Sequence, residues 1–353
     1  MKIGIIIANN LWFCPYVNIY TYLLDKLDIT YDIISWNRYG QKEDAIQFNY
    51  EPYGHNLLSS IYSRIKYCRF VKKVVKNQGY EKLIIFGPTT AIFLSGFLKT
   101  YYYKKYIFDY RDLSIEQKSI FARPFKTVLQ NSYVNVISSP GFLKYLPKQF
   151  EYVLSHNFNI DAVKTSLNEE TELNKDCESI DVLTIGGIRD YESNIQVIDA
   201  IANQKGFSLR FVGKGPSAAD LEAYTKQINA KNISFRGYYE KDEEASLVSS
   251  CTFMNIFYPR KPSHDTALSN RFYNSLIYKK PMITTANTTQ GDYAAQYNVG
   301  VAVNDCTDLP LRLQTFLKET DSETYRNQCD ALLTSFVKDY QKWESSVLDF
   351  LKS

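Results

Sequence analysis

Four short segments in the second half of this 353-residue sequence carry residues fit to hold an anion. Ile185-Gly186-Gly187-Ile188-Arg189 follows an apolar run, and a helical pattern opens near Ser193. Glycines at such a turn let a ligand approach the backbone, the helix start favours negative charge, and Arg189 can pair with a phosphate. A tight turn with a solvated arginine accounts for the segment equally well. Arg210–Pro216 has the same shape: Gly213-Lys214-Gly215 end a strand pattern, and Pro216 suits the first turn of a helix. The third glycine of a dinucleotide fingerprint is missing, which speaks against an NAD site. Phe235-Arg236-Gly237-Tyr238-Tyr239 closes a third strand pattern. Between Phe257 and Thr285 a Pro-rich loop, YPRKPSHDTA, precedes a helix that opens at Ser269-Asn270-Arg271. Free amides there, with Arg271 beside them, make an anion site, and Asn270 also suits a plain N-cap.

Such turns need parallel strands to carry them. Ile3–Ile7 is a continuous apolar run, as expected of a strand buried on both faces. A helical pattern over 15–27, a strand at Tyr31–Trp36, a helix over Leu57–Val75, a strand at Leu83–Phe86 and a helix over Ala91–Thr100 follow. Tyr106–Tyr110, Tyr133–Ser138 and Tyr152–Ser155 read as later strands. Residues 161–180 are polar and acidic, a linker or surface helix. The rhythm then restarts with strands at Val182–Ile185, Leu209–Val212, Ile233–Arg236, Phe253–Phe257 and Met282–Thr285, separated by helical stretches. Alternation of this kind predicts an α/β fold of two Rossmann-like parallel-sheet domains facing a cleft, with ligands beyond the carboxyl ends of the strands. The expected boundaries are 1–160, 161–325 and a helical tail at 326–353 that covers the second domain or crosses back to the first.

Composition narrows the partners. The 41 Lys/Arg and 38 Asp/Glu give a net charge of only +3. They are unevenly placed: residues 1–165 hold 21 basic and 12 acidic side chains, so the remainder is acidic. The asymmetry suggests that the first half meets an anionic partner. Six scattered cysteines without a C-x-x-C, and only His55, His156 and His264 to join them, argue against a zinc site or a disulfide framework. No metal site is expected. The uncharged run Leu83–Leu98 is broken by Gly87-Pro88 and falls short of the roughly 20 residues of a spanning helix. The N-terminal apolar run is too short for a signal peptide, so a cytoplasmic chain is expected. Lys66, Arg69, Lys73 and Lys76 line one helix face with Tyr62, and Tyr101–Tyr106 mixes tyrosines with two lysines. That mixture suits the headgroup zone of an anionic membrane or single-stranded nucleic acid, and equally a solvated charged face.

The four glycine segments together, in their order, resemble the donor-binding domain of GT-B glycosyltransferases, most like the retaining group called family 4. The similarity covers about 180–305 and rests on Gly186, Gly213–Pro216, Phe235–Gly237 and Lys280-Pro281-Met282-Ile283. Gly187 stands where that family has an arginine, with Arg189 two residues later. Thr266 and Asn274 stand where it often has two glutamates, and Asn270-Arg271-Phe272-Tyr273-Asn274 resembles its N-K-x-Y-E variant. In the first half, YIFDYRDL (106–113) is similar to a D-x-R-D-L segment of related sugar transferases that faces the acceptor.

The resemblance implies a hexosyltransferase that moves a sugar from a nucleotide-sugar to a hydroxyl of a glycan, in cell-surface polysaccharide synthesis, with retention and without a metal. It implies donor contacts from Gly186, Gly187, Arg189, Gly213, Lys214, Tyr238, Ser269, Asn270, Arg271 and Asn274. It places Asn9, Asn10 and Arg111 at the acceptor, and Asp112, with Asp109, as the carboxylate that receives or orients the acceptor proton. An Arg–Asp structural pair explains the 109–112 segment as readily. No separate cofactor is expected, because the nucleotide-sugar is a substrate. Lipid-linked acceptors of related enzymes favour peripheral contact with an anionic membrane on the cytosolic face, and no nucleic-acid partner. A catalytically silent nucleotide- or sugar-binding protein, suggested by Thr266 and Asn274, and a nucleotide-sugar epimerase on the same fold are the alternatives.

Overall fold

A computed structural model describes residues 1–49, 57–169, 173 and 179–353. His55, Cys177 and part of the polar 161–180 stretch lie outside the described residues. The chain forms two compact units, Met1–Asn157 with Asp339–Ser353, and Phe158–Lys338.

The first unit contains β1 (Lys2–Ile6), α1 (Asn18–Lys26), β2 (Thr30–Asn37), β3 (Ile46–Asn49), α2 (Leu57–Gln78), β4 (Lys82–Phe86), α3 (Pro88–Tyr101), β5 (Tyr106–Tyr110), α4 (Ser119–Asn131), β6 (Val134–Ile137) and β7 (Val153–Leu154). Its strands pair in parallel in the order β3-β2-β1-β4-β5-β6-β7, so the strand order reverses between β1 and β4. Successive residues of β1 feed opposite faces. Ile6 packs with Ile34, Tyr67 and Ile85, while Ile3 and Ile5 pack with Leu24 and Trp343. Both faces are therefore dry, which is why these strands read as unbroken apolar runs rather than as alternation.

The second unit contains α5 (Ile160–Leu167), β8 (Ile180–Ile185), α6 (Tyr191–Ile201), β9 (Phe207–Val212), α7 (Ala218–Gln227), β10 (Ile233–Arg236), α8 (Glu244–Ser249), β11 (Phe253–Ile256), α9 (Pro262–Thr266), α10 (Asn270–Ile277), β12 (Met282–Thr285), α11 (Thr289–Gln296), β13 (Gly300–Val303) and α12 (Leu309–Glu319). Its parallel order is β10-β9-β8-β11-β12-β13, which reverses between β8 and β11. In open sheets of this kind, the crevice at the reversal is where ligands bind. The last helix, α13 (Ser322–Lys352), begins in this unit and ends in the first.

The end of α13 is fixed by chemistry as well as by packing. Trp343, Val347 and Phe350 are buried on the sheet face that α1 also covers. The buried Lys82 ammonium donates to the carbonyls of Phe350 and Leu351 and to Ser353 Oγ. A cation on the last carbonyls of a helix satisfies acceptors that have no intrahelical partner and offsets the negative end of the dipole. The described cysteines are buried free thiols. Among the described residues no helix is long and apolar enough to cross a membrane.

Candidate functional site

In the second unit the site is built around backbone-to-backbone contact between two turns. Gly186, with φ +89°, ends β8, and its N–H donates to Val212 O at 2.8 Å. The neighbouring turn presses against it: a Cβ at Gly213 would lie 2.0 Å from Gly186 O, and one at Gly215 2.1 Å from Ile188 O. Ile188 N–H donates to Lys214 O at 3.1 Å, and Ser217 Oγ donates to Arg189 O at 2.5 Å. Gly213 and Gly215 are thus required by the packing of the two turns, whatever they bind.

Arg271 closes the arrangement from α10. Its guanidinium lies across the β8/β11 reversal: Nε donates to Ile185 O (2.5 Å), Nη2 to Gly187 O (2.9 Å) and Nη1 to Asn255 O (3.4 Å). The side chain is nearly buried, and among the described residues it forms no ion pair with a carboxylate. Carbonyl dipoles orient a guanidinium but leave its unit charge uncancelled. Ser269 caps α10, with Oγ accepting from Phe272 N–H at 3.3 Å, and Ser269 N and Oγ both donate to Gln290 Oε1 at 2.9 and 2.7 Å. Asn270, the first residue of the helix, is exposed.

Asn274, one turn on, donates to Glu244 Oε1 at 3.0 Å. The other oxygen of Glu244 accepts from Tyr239 OH at 2.9 Å, and Lys241 reaches the same carboxylate. Burial, followed by the charge of Glu244, pushes the Tyr239 hydroxyl up, so it remains a donor; Arg271 pulls the other way. A Cβ on Gly186 would lie 3.9 Å from that hydroxyl. Gly186, Arg271, Asn274, Tyr239 and Glu244 therefore belong to one cluster. Neither Glu244 nor Gln290 stands out in the sequence, because each precedes or follows the motif by a stretch whose folding alone brings it back. Gly187, Arg189, Lys214 and Tyr238 are exposed around the turns, with Lys214 Nζ 5.5 Å from the Tyr238 ring centre. Thr266 is buried and donates to Pro262 O at 2.7 Å within α9.

In the first unit the 109–112 segment divides sharply. Asp109, fully buried at the end of β5, accepts from Tyr20 OH (2.8 Å) and Arg111 Nη2 (2.7 Å), and Arg111 Nε lies 2.5 Å from its other oxygen. Arg111 also donates to Ser155 O and Ser155 Oγ, at 2.9 and 3.1 Å. Trp343 Nε1–H donates to Tyr20 OH at 3.2 Å. Burial pushes the Asp109 carboxyl up, against the pull of Arg111 and Tyr20. The Arg111 side chain is itself nearly buried, and loss of water pulls its guanidinium down, yet Asp109 holds it above its usual value. This is the geometry of a structural ion pair, the alternative the sequence left open, and it leaves Asp112 as the exposed carboxylate of the segment. Asp112 Oδ1 accepts from Leu113 N–H at 2.8 Å. Asn9 is half-buried and accepts from Asn10 N–H at 3.0 Å. Asn10 is fully buried and bonds to the loop after β2, not to Asp109 or Arg111.

No family model matches this chain, and no curated protein matches it significantly. Solved structures do. Sucrose-phosphate synthase from Thermosynechococcus elongatus superposes with a TM-score of 0.71 at 13% identity, covering 100% of both chains. Anabaena HepE, solved with UDP and glucose, gives 0.64 at 12% identity over 99% of this chain and 100% of its own. UDP-N-acetylglucosamine 2-epimerase from Rickettsia bellii gives 0.57 at 10% identity over 98% of each chain. The chain has the GT-B glycosyltransferase fold, which those epimerases share.

Proposed function

We propose that this protein is a glycosyltransferase that uses a nucleotide-sugar donor. The observation that carries the reading is Arg271: a nearly buried guanidinium with no carboxylate ion-paired to it among the described residues, laid across the β8/β11 reversal, beside the start of α10. Positive charge fixed there stabilises a leaving nucleoside diphosphate as the glycosidic bond breaks, with no reorganisation at the moment of reaction. Gly187 offers a backbone donor to the phosphates, Gly186 and Gly213 leave the turns bare of side chains for a close approach, the helix start at Ser269-Asn270 adds the positive end of its dipole, and Arg189 and Lys214 add charge at the rim. Asn274 and Glu244 face the ribose hydroxyls; Glu244 supplies the carboxylate that Asn274 lacks. Tyr238 stands ready to cover the base or the sugar. In the first unit, the exposed Asp112 orients or deprotonates the acceptor hydroxyl beside Asn9.

The same reading makes the acceptor a glycan of the cell surface, the configuration retained, and the diphosphate held by protein cations where other transferases use a divalent metal. The basic face of α2 supports transfer at an anionic membrane surface. It carries exposed Tyr62 with Lys66 Nζ 4.7 Å from its ring centre, and Lys76 Nζ lies 5.4 Å from the Tyr101 ring centre. The likeness to epimerases supports a second reading, reversible elimination of UDP from the donor on the same machinery.

The test is a thermal-shift screen against UDP-, GDP-, ADP- and CMP-sugars, followed by product analysis. One nucleotide class should stabilise the protein, and Arg271→Ala should weaken its binding by about tenfold or more, the worth of one charged hydrogen bond. No stabilisation by any nucleotide, or unchanged affinity in Arg271→Ala, sinks the donor site. An isomerised donor without transfer selects the epimerase.

A further inference from the structure

One turn of α13 does more than cover the sheet of the first unit. Asp339 and Trp343 stand four residues apart on that helix, a spacing that puts both side chains on one face. Beyond them the buried face is apolar, with Val347, Phe350 and Leu351. Burial of those side chains would hold the helix against the sheet by itself. This turn adds two directed hydrogen bonds into the interior of the unit.

The first runs through Tyr20, on α1. Trp343 Nε1–H donates to Tyr20 OH at 3.2 Å, with the two rings edge to face and their centroids 5.0 Å apart. Tyr20 OH donates in turn to Asp109 Oδ2 at 2.8 Å. The second runs through His156, just after β7. Its Nε2 lies 3.0 Å from Asp339 Oδ2, and its neighbour Ser155 accepts from Arg111 with both its carbonyl oxygen and Oγ. Trp343, Tyr20 and Asp109 are fully buried, and Ser155 and His156 nearly so. The two routes leave one helical turn and end on the two members of one ion pair, Asp109 and Arg111. They join residues 323 and 183 positions apart in the sequence.

Asp112 follows Arg111 directly in the chain. Consecutive Cα atoms are held about 3.8 Å apart, so the peptide that carries Asp112 moves with Arg111. A reacting carboxylate must be held to within about 0.5 Å, and a displacement of about 1 Å can cost on the order of a hundredfold in rate. Asp112 is exposed, and an exposed side chain takes such precision from the backbone beneath it. Here that backbone is fixed by buried, directional contacts, which specify one arrangement where apolar packing alone tolerates several.

We propose that Asp339 and Trp343 are positioning residues: through His156 and Tyr20 they fix the Asp109–Arg111 pair, and through that pair they aim the carboxylate of Asp112 at the acceptor hydroxyl. The part played by Asp112 rests on the transferase reading; the placement of its segment by α13 does not.

Two measurements on the full chain test it, and the first needs no substrate. The Leu113 and Ser114 amides donate to Asp112 Oδ1 and Glu116 Oε1 at 2.8 and 2.7 Å, so their hydrogen exchange with solvent reports on the segment. Trp343→Phe and Asp339→Ala should each speed that exchange about tenfold, with circular dichroism and the exchange of β11 and β12 unchanged. Asp339→Asn, which keeps an oxygen for His156, should return the parent rate. The second measurement uses the nucleotide-sugar that the thermal-shift screen selects. Trp343→Phe and Asp339→Ala should each lower kcat about tenfold and leave the donor KM within about twofold. Neither should slow Asp112→Asn any further, because a residue that acts through Asp112 then has nothing left to act on. Parent-like exchange at Leu113 and Ser114 in both variants overturns the proposal. So does a donor KM that rises in place of a falling kcat, or a loss that multiplies with that of Asp112→Asn. If no nucleotide-sugar binds, the transferase reading fails, and the exchange rates still decide whether α13 places the segment.

Discussion

Arg111 and Arg271 are both nearly buried, and each lies at the carboxyl edge of its own parallel sheet, yet they do opposite work. Arg111 has a fully buried carboxylate against it, and Tyr20 and Ser155 complete the set. Its charge is cancelled where it stands. Arg271 is held by three backbone carbonyls and no carboxylate among the described residues, so its charge remains available. Partners that orient without neutralising leave a cation poised for an anionic ligand; a partner that neutralises makes a structural bolt. Both are arginines at a carboxyl edge, Arg111 from a strand end and Arg271 from a helix, and what separates their charges is the partner.

The largest effect that would break this comparison is on folding. Asp109→Ala strands the Arg111 guanidinium in the interior and should cost roughly 3–5 kcal/mol of stability in denaturant unfolding. Arg271→Met removes three hydrogen bonds to carbonyls and should cost less, about 1–3 kcal/mol, while removing the charge. If both variants unfold equally easily, Arg271 is a bolt too, and its assignment to the donor fails.

Next in size is the glycine contact that supports Arg271. In Gly213→Ala the new methyl would meet Gly186 O at 2.0 Å, at a backbone φ of +135° that side chains resist. The strain and overpacking should cost roughly 2–4 kcal/mol in protein free of nucleotide. A variant as stable as the parent, but with weaker nucleotide binding, would instead mean that this glycine serves the ligand alone.

The comparison also shows where the sequence could be read. Parallel strands buried on both faces advertise themselves as apolar runs, so Ile3–Ile7, Leu83–Phe86 and Val182–Ile185 were legible and with them the two-sheet α/β fold. The edge strand Ile46–Asn49 was not, because a half-exposed stretch of four mixed residues carries no such run. Strand β13 was missed because its run opens on Gly300 and its middle residues Val301 and Ala302 are only half buried, and α4 because Pro124 interrupts its pattern. At the sites, spacing pointed to Arg271 and to Asp109–Asp112 but could not say which charges cancel. That depends on contacts such as Tyr20 with Asp109 and Asn274 with Glu244, made by residues 89 and 30 positions apart. Asn10 was likewise legible as a special residue, yet its work is to staple two loops, which only the fold reveals.

The smallest expected effect concerns the neighbour of the bolt. His156, next to Ser155, is buried with Nε2 3.0 Å from Asp339 Oδ2. Burial lowers its pKa; the hydrogen bond and charge of Asp339 oppose that, and Arg111 adds a further push downward. A base whose folded pKa lies below its unfolded value of about 6.5 stabilises the fold while neutral. That contribution is therefore fully present above pH ~6.5 and is lost as pH falls through the folded value. Unfolding free energy should decline between neutral and mildly acidic pH, and His156→Gln should flatten the decline without removing the hydrogen bond to Asp339. Each unit of depression is worth about 1.4 kcal/mol, so the change should stay below that of Asp109→Ala. Stability that rises on acidification over this range would show that Asp339 outweighs burial and the push from Arg111.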